Sequence, residues 1–132
     1  MYTEILSYEK ACEVNKQDPN QKPIVDHLDK EEAADVINNF ELKRIVRAVN
    51  KNDDGTDWKV NYRDGSDKYT MVFGVKTTED KPSGVGFSCS LYGIWYTRTR
   101  CGSRLEFRDY DRMKHVQNNF QPLLEKVYLI LE

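Results

Sequence analysis

The stretch that most restricts the fold is DKEEAADVINNFELKRIVRAVN, residues 29–50. Asp29 can cap a helix by accepting from an orphan amide of the first turn, and Glu32 has the place of the second member of a capping box. The run therefore predicts a helix over 30–49. Its apolar residues form two sets, Ala33, Val36, Ile37 and Phe40, then Leu42, Ile45, Val46 and Val49. Each set repeats at i, i+3, i+4, i+7, but at about 100° per residue the two point to nearly opposite sides. Such a helix is either covered on both faces or broken near Asn38 and Asn39. The reading adopted is a central helix sandwiched between other elements.

Around this helix the pattern changes several times. Ser7 can cap a short helix through Tyr8, Ala11, Cys12 and Val14, and Pro19 and Pro23 then make residues 15–30 a connector. Beyond the solvated loop NKNDDGTD the period becomes two: WKVNY and KYTMVFGVK flank Asp64-Gly65, a dipeptide favoured in tight hairpin turns. Tyr69, Met71, Phe73 and Val75 would line one face of the second arm. Further strands are expected over 85–91, 94–99 and 104–107, with Gly93 and Gly102 at the changes of direction. The chain ends in helical phase through Met113, Val116, Phe120, Leu123, Leu124, Val127 and Leu131, capped by Asp109 or Asp111, with Pro122 kinking the run or starting a new helix. The expected architecture is α+β. An antiparallel sheet of about four to five strands over 58–107 packs with a central helix over 30–49 and a C-terminal helix over 111–131.

At 132 residues the chain is expected to be a single domain, 1–132, able to bury a core without disulfides. Twenty basic against 22 acidic residues argue against coating nucleic acid by bulk electrostatics. The charged first residues, MYTEILSYEK, lack the apolar core of a signal peptide, and no apolar run is long enough to span a membrane, so a cytoplasmic location is expected. Three cysteines without a CxxC pair supply neither a disulfide framework nor a thiolate metal cage.

The chemistry-bearing residues make no complete motif. His27 and His115 have no partner at metal-ligand spacing, so no metal and no cofactor is expected. Cys89 and Cys101 lack a positioned base, and Cys89 shares a strand facing with Phe87 and Leu91, which favours packing over nucleophilic catalysis. GVG after Ser83 lacks the lysine of a phosphate loop, and NDDGTD lacks the terminal glutamate of a calcium loop. One polar set stands out. Arg98, Arg100 and Arg104 lie near Tyr92, Trp95 and Tyr96, and forked guanidinium donors beside aromatic faces suit a nucleotide or another small anionic ligand. The structural alternative is an outer sheet face where the arginines stack on tyrosines and pair with Glu106, Asp109 or Asp111.

SYEKAC, FELKRIVRAVN, PSGVGFSCSLYGIW and CGSRLEF before a terminal helix also carry a resemblance. Over nearly the whole chain they look like a family of small uncharacterised proteins common in bacteriophages, prophages and mobile elements of Bacteroides and other gut Bacteroidota. SGVGFS and GSRL match that pattern, and the first aromatic cluster is reduced to KYTMVF. The resemblance implies a genomic setting and supplies no catalytic residue. The expectation is a non-catalytic phage or prophage accessory protein that binds a host or phage protein or a small anionic ligand such as a nucleotide. A minor virion or assembly component, for which homo-oligomer formation matters, is the alternative, and an enzyme with an unrecognised site comes third.

Overall fold

The computed structural model describes residues 1–59, 69, 73–76, 86–92 and 105–128. A 3-10 turn at Tyr2–Glu4 leads to α1 (Tyr8–Asn15) and α2 (Lys30–Val49), then β1 (Phe73–Lys76), β2 (Gly86–Tyr92), α3 (Tyr110–Asn119) and α4 (Gln121–Tyr128).

α1, α2 and α3 each start with a side-chain cap. Ser7 Oγ accepts from the Lys10 amide at 3.1 Å, the Asp29 carboxylate from the Glu32 amide at 2.8 Å, and the Asp109 carboxylate from the Arg112 amide at 2.8 Å. These bonds satisfy donors that a first turn otherwise leaves without partners. At the other end of α1, Lys16 takes a left-handed conformation, φ 58° and ψ 46°, and the Gln17 amide bonds back to the Cys12 carbonyl at 2.8 Å. The chain then runs as a connector to Asp29.

The core is made by helices. Leu42, Ile45, Val46, Ala48 and Val49 of α2 are buried against Ile5, Ala11, Phe107, Met113, Val116, Phe120 and Leu124. Burying such a side chain contributes about 1.5–3 kcal/mol. The first half of α2 behaves differently. No residue from Lys30 to Glu41 is buried, and Val36 remains 39% exposed. The helix is therefore not sandwiched as expected: its second half packs on one face, with Lys43 and Arg47 exposed on the other. Nor is α2 broken at the asparagines: Asn39 Nδ2 donates to the Asp35 carbonyl at 2.8 Å and the helix continues.

The single C-terminal helix expected over 111–131 is two helices over 110–128. α3 closes at Phe120, and Pro122 falls in the first turn of α4, where its missing amide costs no helical bond. Residues 129–131 lie outside the described ones.

The expected sheet is the larger correction. The described residues are mainly helical, and a four-to-five-strand antiparallel sheet is not seen, so the α+β assignment does not hold. What is present is a two-stranded antiparallel ribbon, β1 with β2, pairing Phe73 with Tyr92 and Val75 with Phe87, with an irregularity between Phe73 and Val75. A lone bridge joins Tyr69 to Phe107. The expected arm 58–62 starts irregularly at Trp58 and Lys59 and otherwise lies, with the strand over 94–99, outside the described residues. Asn50 Nδ2 donates to the Glu106 carbonyl at 2.8 Å, and the Arg108 amide donates to Asn50 Oδ1 at 3.1 Å. A helix-end side chain thus holds one edge of this segment, while Phe107 pairs with Tyr69 on the other.

Candidate functional site

Of the residues that the sequence nominates for a ligand, Tyr92 is the last residue of β2, and Trp95, Tyr96, Arg98, Arg100 and Arg104 lie outside the described residues. Their nominated acidic partners are accounted for in part. Glu106 is buried, Asp109 caps α3 and pairs with the Arg112 guanidinium, and Asp111 is exposed in the first turn.

A different group of cations gathers where α2 ends. Carbonyls at a helix C-terminus carry partial negative charge and attract cations. Arg112 Nε donates to the Val49 carbonyl at 2.9 Å, and the Arg108 guanidinium donates to the Lys51 carbonyl at 3.3 Å and Asn52 Oδ1 at 3.2 Å. Arg47 and Lys51 both grip Asp57, which arrives on the following loop. Arg47 makes bonds of 3.0 and 2.9 Å, and Lys51 Nζ lies at 2.5 Å. The Arg47 guanidinium first, then the Lys51 ammonium, hold the Asp57 carboxyl well below the usual carboxylate range. The turn of that loop is closed by Asp54, which accepts from the Thr56 amide and hydroxyl, while Gly55 supplies a φ of 86°. NDDGTD is thus a turn whose Asp54 and Asp57 side chains are used internally.

Between this helix end, the 3-10 turn and α1 lies a cleft of about 580 Å³. Tyr2, Ile5, Val14 and Val49 supply apolar surface, and Lys10, Lys51 and Arg112 supply positive charge, against Glu4 and Asp53. Arg112 stacks on the Tyr2 ring at 4.6 Å, so both its face and its position are set before anything binds. The sequence signal for this cluster was weak. Lys10, Lys51 and Arg112 are 41 and 61 residues apart along the chain, and only the packing of α1 and α3 on α2 joins them.

Cys12 and His115 serve packing, and Cys101 and the Cys89 side chain lie outside what is described. Cys12 is fully buried, and the Arg44 guanidinium reaches its Sγ at 3.6 Å, the Tyr8 hydroxyl at 3.1 Å and the Asp18 carbonyl at 2.9 Å. This fan ties α1 and the connector to α2. Burial foremost, with the neighbouring Cys12, pushes the Tyr8 phenol up to about 12 despite Arg44. His115 Nε2 lies 2.7 Å from the Ile5 carbonyl, and Nδ1 faces Asn119 Nδ2 at 3.3 Å. Since a carbonyl only accepts, Nε2 carries the hydrogen. His27 is exposed on the connector.

No protein-family model, curated protein or solved structure matches the chain. No helix among the described residues is long and apolar enough to cross a membrane.

Proposed function

We propose that the chain is a non-catalytic accessory protein that takes a small anionic ligand, such as a nucleotide, in the cleft at the end of α2. The observation that carries this reading is the cleft itself. Its volume of about 580 Å³ falls within the range of ligand sites, roughly 300–1,000 Å³. Its lining combines an aromatic and aliphatic surface with three cations, the pairing of features that holds a ring and an anionic group together. Asp57 and Asp109 hold two of these cations from behind, so little side-chain freedom is lost on binding. The phage or prophage setting rests on the sequence resemblance alone.

Thermal shift measurements with ADP, a cyclic nucleotide, inorganic phosphate and a short oligonucleotide test the proposal. A ligand at a hundred times its dissociation constant stabilises by about 2.7 kcal/mol. Lys10→Ala, which removes a cleft cation and only an exposed contact to Glu13, is expected to diminish the shift. No shift with any of the four, or a shift unchanged by Lys10→Ala, contradicts the reading.

A further inference from the structure

The first half of α2 carries an apolar stripe that the described residues cover only in part: Ala33, Ile37 and Phe40 are half-buried, with the Arg44 guanidinium 4.2 Å from the Phe40 ring. Ala33, Val36, Ile37 and Phe40 share one face at about 100° per residue, and Val36 is 39% exposed. Beside it runs a groove of about 400 Å³ lined by Pro23, Asp35, Val36, Asn39, Phe40 and Lys43, and Ile24, next in the chain to Pro23, is 80% exposed. The opposite stripe of the same helix is fully committed to the core.

The charges flanking the stripe indicate what covers it. At the same angular spacing, Glu32 and Lys43 lie on one flank, Glu32 towards the N-terminal end and Lys43 towards the C-terminal end. Neither enters an ion pair among the described residues, whereas Arg44, Arg47 and Glu41 on this helix are engaged by Tyr8, Asp57 and Lys22. In an antiparallel helix pair related by a two-fold axis, like flanks meet, and the register that sets Phe40 on the Val36 of a second copy also sets Glu32 beside the Lys43 of that copy. The arrangement is self-complementary and forms each contact twice, as closed two-fold interfaces require. In a parallel two-fold pair unlike flanks meet, so Glu32 and Lys43 do not face each other.

From this charge complementarity we infer that a second copy of the chain docks antiparallel along α2, burying Val36, Ile37 and Phe40 of both protomers. The surface is separate from the cleft at the other end of α2, so dimerisation and ligand binding fail or succeed independently.

Sedimentation velocity of the full chain across a concentration series reads the association directly. Val36→Asp is expected to leave a folded monomer at every concentration, because no residue in this half of the helix is buried. Lys43→Glu or Glu32→Lys alone sets like charges together at two places and is expected to weaken association by about tenfold or more. The double variant Glu32→Lys with Lys43→Glu restores the pairs and is expected to return to within about threefold of the original affinity. A chain that stays monomeric up to its solubility limit overturns the inference. So does a dimer whose strength is unmoved by Val36→Asp and by both single charge reversals, since such a dimer uses another surface.

Discussion

At the residue scale, the side chains that matter most are polar ones joining distant parts of the chain. Asn50 is the strongest case. It is 5% exposed and serves the backbone on both sides of Phe107. Asn50→Ala leaves a carbonyl and an amide without partners, and an unpaired buried group costs about 1–3 kcal/mol. A loss at the upper end of that range is expected in denaturant unfolding, with the slope unchanged. Tyr8 contributes on the alkaline side. Its folded pKa of about 12 lies above the unfolded value near 10, so its contribution is present below about pH 10 and is lost as pH rises towards 12. Tyr8→Phe is expected to flatten the alkaline limb of the stability profile, which urea midpoints at pH 9 to 12 read out. Asp57 works in the opposite direction. Its pKa is depressed by Arg47 and Lys51, so its contribution holds above about pH 4 and declines on further acidification. Asp57→Asn is expected to lower the midpoint at neutral pH and to flatten the acid limb.

At the element scale, α2 is one helix with two stabilities. Its second half is fixed by the core, whereas its first half depends on the Asp29 cap and on propensity. An N-cap is typically worth about 1 kcal/mol. Asp29→Ala is expected to accelerate amide exchange over residues 33–39 while leaving exchange over 45–49 at its global rate. A uniform acceleration across α2 would show that the two halves open together. The bounds of this helix were legible in the sequence because its caps and its period are local properties. Ser7, Asp109 and the break at Pro122 were legible for the same reason. The sheet was not. Alternation at 69–75 marks extended backbone without stating how many strands pair, and nothing local announces that the Asn50 side chain takes one edge of 106–108. The cleft was equally hidden. Lys10, Lys51 and Arg112 carry no motif, and a helix-end cation looks the same in sequence whether it borders a cleft or open solvent.

At the scale of the molecule, core and surface divide along α2. The helix is the shared element: α1, α3, α4 and the segment around Phe107 all pack on its second half. That asymmetry makes a definite distinction between two substitutions nine residues apart. Ile45 is fully buried among groups from several elements, and an Ile→Ala truncation in such a place costs about 2–5 kcal/mol through lost transfer energy and the cavity left behind. Val36 touches none of this core, and a surface substitution away from such features usually changes stability by less than about 0.5 kcal/mol. Unfolding of Ile45→Ala and Val36→Asp, both at concentrations low enough to keep the chain monomeric, is therefore expected to separate them by at least about 2 kcal/mol. Comparable losses in the two would mean that the first half of α2 belongs to the cooperative core. The apolar stripe at Ala33, Val36, Ile37 and Phe40 would then be part of the fold of the single chain, and the reason for assigning it to a second copy would be gone.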